Sequence, residues 1–431
     1  MNRPGPLRVL VLDHTAQPGG AELALVRLLD ALDPSRASVR VLLFADGPLV
    51  DRLRTRGVPV HVLPLDEQVR GTERSAVLAG PVRTARAVAR AGPFVVRLAR
   101  EIRASGADVV HTTSLKADLL ALPAAALARR PLVWHVHDLL TEQYLGARLA
   151  RVVRALACWP RAVVVNSGAT AATLPARVRP VVAPPGLAPD QLRAEPPVPH
   201  AGPPVVGIVG RLSPTKGQDV FLRAAALVAA RRDDVRFRIV GAALFAEQAF
   251  AEEVSALVGT LGLGDRVELT GFTDDPVAAM DALDVLVHAS PVAEPFGQVV
   301  AEAMARGVPV VATRGGGVAE IVEPPGESPL GRLVPPGDPV ALAAAVLATL
   351  ADEGRWATAG RALASVGDRL PVARTAEAVT QAWERAAGRR PAAKPSKRGE
   401  TGASGANRPD RRSTIDEPGT VRRSSILGRS A

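Results

Sequence analysis

Cysteine, aromatic residues and long apolar segments are all scarce in this chain. Cys158 is the single cysteine of 431 residues, which excludes a disulfide framework and agrees with a reducing compartment. We expect its side chain to be buried as a small apolar group. Aromatic residues make up only 3% of the sequence, so the hydrophobic cores must be built mainly from aliphatic side chains.

No segment has the length expected of a membrane span or of a secretion signal. The longest runs rich in apolar residues, 119–128 and 340–351, are shorter than the roughly 18 residues of a spanning helix. The first residues, MNRPGPLRVLVLD, lack the apolar stretch and small-residue cleavage site of a signal peptide. We therefore predict a cytoplasmic protein.

The net charge of +10 is unevenly distributed along the chain. Residues 389–431 contain eleven Arg and Lys residues against four Asp and Glu residues, so the remainder of the chain is nearly neutral. The composition of this tail, rich in Arg, Gly, Ser and Pro, predicts disorder over 388–431. Because the tail lacks interleaved aromatic residues that stack on bases, we predict no specific nucleic-acid partner.

Short apolar runs alternate with helical patterns through most of the chain. This alternation predicts an α/β architecture with buried parallel strands. The length suits two such domains, which we place at 1–187 and 204–370. The Pro-rich residues 188–203 between them predict a semi-rigid linker.

The stretch SPVAEPFGQVVAEAMARGVPVVATRGGG, residues 290–317, has the order of loop, helix, turn, buried strand and Gly-rich loop. Ligands of α/β proteins bind at such carboxyl edges of parallel strands. Gly297 permits close backbone approach, and the following helix start favours an anion. Glu294 and Glu302 cannot bind a phosphate, but they suit sugar hydroxyl groups. The simpler interpretation is an acidic helix start.

Two further loops have the pattern of phosphate sites. Residues 205–217 read as strand, turn and helix start, and Arg211 and Lys216 flank the turn. Two cations at a helix N-terminus suit a diphosphate. The run 7–13 is followed by Gly19-Gly20 and a helix, a weaker signal because paired glycines also serve ordinary tight turns.

Polar residues follow two other predicted strands, 107–112 and 132–138. We expect His111, His137 and Asp138 to project into the cleft at the strand ends, and His135 to point away from His137. Isolated histidines are more often core or surface residues, but two at neighbouring strand ends favour function.

These segments together carry a resemblance to a known family. EPFGQVVAEAMARGVPVVAT and GRLSPTKGQD resemble the signatures of family-four retaining glycosyltransferases of the GT-B fold, and HVHD resembles the family's His-Asp element. Ala289 departs from the pattern, since a proline commonly precedes the serine there. The resemblance implies two Rossmann-like doubly wound domains facing across a cleft, with a last helix, 371–387, crossing back to the first domain.

The resemblance also implies roles for individual residues. Glu294 would contact the donor sugar and His137 would lie near it, and these two are the candidate catalytic residues. Donor binding would involve a wider set of residues that includes the ribose ligand Glu302 and the phosphate ligands Arg211 and Lys216: Gly19, Gly20, Arg211, Lys216, Phe296, Gln298, Val299, Glu302 and, at the helix start, Gly297.

The resemblance implies a retaining hexosyltransferase that uses a uridine-based nucleotide-sugar and a saccharide or lipid-linked acceptor. No two aspartates stand two positions apart, so the D-x-D element of metal-dependent glycosyltransferases is absent and we predict no metal and no cofactor. Two alternatives stay open. One is a GT-B nucleotide-sugar epimerase, and the other is a non-catalytic binding module with a basic tail.

An arginine-rich insertion at 66–106 separates the early strands. Its helical pattern places Arg83, Arg86 and Arg90 on one face and apolar residues on another, with a break at Gly92-Pro93. This segment would contact an anionic membrane at the inner face of the plasma membrane, or hold an acceptor phosphate. The simpler interpretation is a solvated amphipathic helix.

Overall fold

The structure, a computed structural model, describes residues 5–66, 81–195, 202–243 and 247–389. Two parallel sheets, each sandwiched between helices, form the α/β architecture expected from the sequence. The predicted basic tail from residue 390 onward and part of the insertion, 67–80, lie outside the described residues.

The first lobe contains a seven-stranded sheet in the order β3-β2-β1-β4-β5-β6-β7. Its strands are β1 (Leu7–Asp13), β2 (Ala37–Leu43), β3 (Val60–Val62), β4 (Val109–Thr112), β5 (Leu132–Val136), β6 (Ala162–Val165) and β7 (Val181–Val182). The connecting helices are α1 (Gly20–Asp30), α2 (Pro48–Arg54), α3 (Pro81–Ala104), α4 (Leu115–Ala128), α5 (Glu142–Leu145), α6 (Ala147–Leu156) and α7 (Gly168–Ala172).

The second lobe contains a six-stranded sheet in the order β10-β9-β8-β11-β12-β13. Its strands are β8 (Val205–Val209), β9 (Arg236–Val240), β10 (Val267–Gly271), β11 (Val285–His288), β12 (Val310–Thr313) and β13 (Arg332–Val334). Its helices are α8 (Gln218–Ala229), α9 (Gln248–Thr260), α10 (Pro276–Asp281), α11 (Gln298–Ala305), α12 (Val318–Val322), α13 (Pro339–Ala351) and α14 (Arg355–Arg369), and α15 (Val372–Ala386) follows them.

Alternation along each buried strand supplies both faces of its sheet with a core. In β1, Leu10 and Leu12 pack beneath α3, α4 and α6, whereas Val9 and Val11 pack with α1 and α15 on the other face. The second sheet is covered in the same way. Burial on both faces explains why these strands are continuous apolar runs.

Two chain segments pass between the lobes side by side. Leu187 donates its N–H to the Leu370 carbonyl at 2.7 Å, and Val372 donates to the Leu187 carbonyl at 2.9 Å. A Cβ on Gly186 would lie 2.3 Å from the Val372 Cα, so this close approach requires glycine. After the crossing, α15 packs on the first lobe through Val379 and Trp383.

Three local expectations are wrong. The helix does not break at Gly92-Pro93, because α3 continues through Pro93, which lies on the exposed side, while buried Phe94, Leu98 and Ile102 hold the helix against the sheet. Cys158 is half-buried rather than part of the core, and Arg177 Nε lies 2.7 Å from its sulfur. The strand predicted at 132–138 ends at Val136.

No helix in the described part of the chain is both long and apolar enough to cross a bilayer.

Candidate active site

The strand order reverses near the middle of each sheet, beside β1 and β4 in the first lobe and beside β8 and β11 in the second. Adjacent loops leave the sheet in opposite directions at such a point, so a crevice opens at the carboxyl ends of the strands. The loops that follow β8 and β11 carry Arg211, Lys216 and Glu294. The motifs singled out in the sequence therefore meet at one edge.

The backbone at Glu294 is clamped by the glycine run 315–317. Glu294 pairs with Gly316 in an isolated parallel bridge, and Gly317 donates its N–H to the Glu294 carbonyl at 3.0 Å. Gly316 has a φ of +58°, and a Cβ there would lie 1.8 Å from the Glu294 carbonyl oxygen. Only glycine satisfies both the conformation and the contact, so this run fixes where the glutamate stands.

The Glu294 carboxylate faces two basic side chains. Lys216 Nζ lies 2.6 Å from its Oε1, and His288 Nε2 lies 3.4 Å from the same oxygen. Burial alone would raise the pKa of Glu294, but the positive charges of Lys216 and His288 outweigh burial and hold this pKa well below its ordinary value. The site therefore contains an ionised carboxylate in a poorly solvated position.

The loop between β8 and α8 presents the two cations that the sequence indicated. Gln218 donates to the Arg211 carbonyl at 2.9 Å, while the Arg211 guanidinium lies 3.2 Å from Glu247. Gly217 has a φ of +74°, and a Cβ on it would lie 2.1 Å from the Ala289 carbonyl oxygen. The loop is thus pressed against the end of β11, which brings Lys216 to Glu294.

Helix α11 begins at this edge with its amide groups facing the crevice. Gly297, the residue before α11, has a φ of +100°, and a Cβ there would lie 2.6 Å from Val318 Cγ2. Phe296, which the sequence assigned to donor binding, is buried in the core, so its backbone rather than its ring faces outward. Val299 is half-buried against the same core.

Glu302 and Gln298 make contacts across the cleft to the first lobe. Arg27 of α1 lies 3.3 Å from Glu302 Oε1 and donates to Gln298 Oε1 at 2.7 Å. Gln191 Nε2 lies 3.4 Å from the same Glu302 oxygen. Burial raises the pKa of Glu302, and Arg27 only partly offsets that effect. A polyol that replaced these contacts would meet acceptors already positioned for hydrogen bonds.

The paired glycines of the first lobe stand at the start of α1. A Cβ on Gly20 would lie 3.0 Å from Gln298 Nε2 of the opposite lobe. A Cβ on Gly19 would lie 2.4 Å from the Glu22 carboxylate. Glycine at both positions therefore lets the helix start approach the second lobe and lets Glu22 fold back onto it.

The histidines are arranged differently from the sequence expectation. His111 does not enter the cleft, since it is fully buried and its Nδ1 accepts a hydrogen bond from Trp383 Nε1 at 3.1 Å. His135 does not point away from His137, because residues two apart on a strand share a face, and their ring centroids lie 4.1 Å apart. His137 follows the end of the strand and is half-buried.

His135 lies between His111 and His137. Burial lowers the pKa of both His111 and His137. Burial and the neighbouring His137 lower the pKa of His111 to about 3. Burial also lowers the pKa of His137, although the Asp138 and Asp13 charges oppose it. Both imidazoles are therefore neutral at ordinary pH, and His137 acts as a hydrogen-bonding group rather than a fixed cation.

Comparison with known proteins agrees with this arrangement. The family model described as Glycosyltransferase Family 4 matches residues 18–191, and that described as Glycosyl transferases group 1 matches residues 203–352. The chain is 31% identical over 323 residues to phosphatidyl-myo-inositol mannosyltransferase of Mycobacterium leprae, covering 71% of this chain and 82% of that protein.

The chain belongs to the family-four glycosyltransferases of the GT-B fold.

Other known proteins and solved structures resemble parts or most of the chain. The crystal structure of Anabaena HepE in complex with UDP and glucose superimposes with a TM-score of 0.74 at 30% identity, covering 87% of this chain and 98% of HepE. The 2-deoxystreptamine glucosyltransferase of Streptomyces kanamyceticus is 36% identical over 157 residues, which are 36% of this chain and 38% of that protein. The chain thus spans about a third to a half of several curated relatives that it matches.

Three residues at this family-four site were missed from the sequence. His288 ends β11 and could have been found as a polar residue at the end of a buried strand. Arg27 lies inside a helix with no local signal, because its role arises only when the lobes meet. Glu22 lies in the first turn of the helix after Gly19-Gly20, where an acidic residue is an ordinary feature of a helix start.

Three acidic side chains of the first lobe, Asp13, Glu22 and Asp118, are buried. Burial, reinforced by the Asp13 charge, raises the pKa of Glu22 to about 8, and burial raises the pKa of Asp118 well above its ordinary value. Burial also works against the Asp13 charge, but hydrogen bonds from His14 and Thr113 hold the pKa of Asp13 below its ordinary value.

Among the described residues, no group of three or more His, Cys, Asp and Glu side chains is arranged to hold a metal ion.

Proposed function

We propose that this family-four protein is a retaining glycosyltransferase that moves a hexosyl group from a uridine diphosphate sugar to a saccharide or lipid-linked acceptor. The observation that carries the proposal is the contact between Lys216 and Glu294 at 2.6 Å, beside the N-terminus of α11. It sets a diphosphate-binding cation against a carboxylate suited to sugar hydroxyls. The UDP-bound HepE complex supports uridine as the base.

In the proposed reaction, the second lobe stabilises the departing diphosphate. As the bond from the anomeric carbon to the phosphate oxygen breaks, its electron pair stays on that oxygen. Arg211, Lys216 and the amide groups at the start of α11 would bind the growing negative charge. These groups carry the positive charge that a divalent cation otherwise supplies, and on that basis we propose activity without metal.

The first lobe would supply the acceptor and complete the sugar site. The acceptor hydroxyl forms the new bond to the anomeric carbon on the face that the phosphate leaves, and its proton passes to a phosphate oxygen. Glu294 would accept hydrogen bonds from sugar hydroxyls, and neutral His137 would bind another hydroxyl. Glu302 would bind the ribose in place of Arg27 and Gln191.

The decisive experiment is a transfer reaction with a panel of nucleotide-sugars, followed by NMR of the product. We expect an α-linked product from an α-linked uridine diphosphate sugar, together with free UDP. A β-linked product would contradict retention. Consumption of the donor without acceptor, giving an isomer and no free UDP, would establish the epimerase alternative instead.

A cytoplasmic membrane surface is the proposed place of action. Helices α3, α4 and α6 share one face of the first sheet, and residues 143–189 contain six arginines and no Asp or Glu. Four exposed apolar side chains lie on these helices or directly after them: Val96, Leu127, Val152 and Trp159, the last 76% exposed. Arginines with interspersed exposed apolar groups suit an anionic bilayer. The apolar face of α3 that the sequence offered to lipid, including Leu98 and Ile102, is instead packed in the core.

Co-sedimentation with vesicles tests this surface. We expect binding to phosphatidylglycerol-containing vesicles that weakens with salt and with Trp159→Ser. Val340→Ser is the matched control, because Val340 is 66% exposed on the second lobe. Equal losses from both substitutions, or no binding at low salt, would contradict the membrane proposal without affecting the proposed chemistry.

A further inference from the structure

We infer that His288 is a positioning residue that holds the Glu294 carboxylate in the orientation needed to bind the donor sugar. The inference rests on the proposed function for the identity of the sugar ligand. It adds a residue that the motif reading did not assign, and it assigns each nitrogen of the imidazole a separate partner.

The Nδ1 side of the ring is fixed by the end of the neighbouring strand. His288 ends β11 and Thr313 ends β12, and the two strands pair in parallel register. His288 is only 4% exposed, and its Nδ1 lies 3.0 Å from Thr313 Oγ1. Thr313 Oγ1 also lies 2.9 Å from the Ser290 carbonyl oxygen.

Proton counting then assigns the tautomer. The Ser290 carbonyl can only accept, so the single hydroxyl proton of Thr313 is donated to it. Thr313 Oγ1 is left as the acceptor for His288, and Nδ1 of the imidazole must carry a proton. The chain of hydrogen bonds runs from His288 through Thr313 to the backbone of the loop that leads to Glu294.

The Nε2 side of the ring faces Glu294. Nε2 lies 3.4 Å from Glu294 Oε1, and Lys216 Nζ contacts the same oxygen at 2.6 Å. No hydrogen-bond partner among the described residues is close enough and aligned for Nε2. The ring thus presents its Nε2 edge to the carboxylate while its Nδ1 edge is anchored to Thr313.

The arrangement divides the work between two basic residues. Lys216 is a flexible side chain on a loop, so its ammonium can follow a departing phosphate. His288 is buried on a strand end with both nitrogens directed, so it stays when Lys216 moves. His288 therefore keeps Glu294 oriented during the exchange of Lys216 between the carboxylate and the diphosphate.

Two amide substitutions separate the two nitrogens. His288→Asn places an amide nitrogen near the former Nδ1 and keeps the Thr313 contact. His288→Gln places one near the former Nε2 and keeps the Glu294 contact. If His288 positions Glu294, the His288→Asn variant loses this function and the His288→Gln variant largely retains it. If His288 only stabilises the fold, the two variants behave alike.

Calorimetric titration with UDP and with UDP-glucose gives the readout. We expect His288→Asn to weaken UDP-glucose binding roughly tenfold, His288→Gln to weaken it by less than about threefold, and neither to change UDP binding beyond about twofold. Equal losses for UDP and UDP-glucose, or equal behaviour of Asn and Gln, would overturn the inference.

A ligand-independent measurement separates this inference from the proposed function. In protein labelled with ¹⁵N-histidine, Glu294→Gln should shift the imidazole nitrogen signals of His288, and Glu252→Gln on the exposed face of α9 should not. If the wild-type protein binds neither probe, the uridine form of the proposed function fails and these spectra alone decide. Unchanged His288 signals in Glu294→Gln would overturn the role assigned to His288.

Discussion

The buried acid Glu22 makes the stability of the first lobe depend on pH in a calculable way. Glu22 lies in the first turn of α1 and is 8% exposed. Burial, followed by the Asp13 charge, raises its pKa from 4.5 to about 8. In the folded protein this carboxyl group therefore keeps its proton across a range in which the unfolded chain has lost it.

The sign of the effect follows from proton linkage. Between pH 4.5 and about 8 the folded state binds one more proton than the unfolded state, so stability falls as pH rises through this window. The full cost of ionising Glu22 is present only above pH 8. At 1.36 kcal/mol for each pKa unit, the loss reaches roughly 5 kcal/mol as an upper limit.

Glu22→Gln removes this proton equilibrium while keeping the size of the side chain. By the same relation, the variant gains about 1 kcal/mol over the parent at pH 5.5 and up to about 5 kcal/mol at pH 9. The increase of about 3–4 kcal/mol between the two pH values does not depend on how well glutamine packs. Urea unfolding at both pH values measures it.

A matched substitution controls for the loss of a surface charge. Glu252→Gln replaces an exposed glutamate of α9, and we expect its effect on unfolding free energy to be the same at both pH values. If Glu22→Gln also showed no pH dependence, Glu22 would be ionised in the folded protein. The amide groups of α1 would then stabilise its charge more than burial opposes it.

Three further predictions concern the donor site and its support. Lys216→Ala should weaken UDP binding ten- to a hundredfold, because a charge-assisted contact is lost. Calorimetry measures the affinity, with the exposed Arg332→Ala as control. An equal loss of UDP affinity in both variants would contradict the prediction. Sugar transfer should persist in EDTA, and complete loss restored by Mg²⁺ would contradict it. Trp383→Phe should lower the free energy of unfolding by about 1–3 kcal/mol, because it leaves His111 Nδ1 buried without a donor. The indole N–H of Trp356 has no partner among the described residues. In urea unfolding, Trp356→Phe should therefore lower the free energy of unfolding by less.

The sequence predicted what depends on local pattern. Buried parallel strands leave apolar runs of fixed length, and tight loops leave glycines, so the α/β architecture and the sites around Gly297 and Lys216 were accessible. The GT-B family is likewise confirmed, and it was recognisable because each of its signatures lies in a short contiguous stretch. The expectations of a retaining mechanism and of no metal requirement stay predictions.

The failures at His111 and Arg27 have one physical origin, which is packing between elements distant in the chain. His111 was assigned to the cleft because strand ends are polar there, but α15 returns from the far end of the chain and covers it with Trp383. Arg27 carries no signal until the second lobe supplies Glu302. The misplaced His135 was an error of strand periodicity that the sequence itself could have prevented.

The return of α15 to the first lobe also sets the order in which the chain can fold. About 190 residues separate the end of β7 at Val182 from the start of α15 at Val372. At ribosomal speeds of about 5–20 residues per second, roughly 10–40 s pass between their synthesis. During that time the groove that receives Val379 and Trp383 stays uncovered, so the first lobe cannot complete its core until the last helix is synthesised.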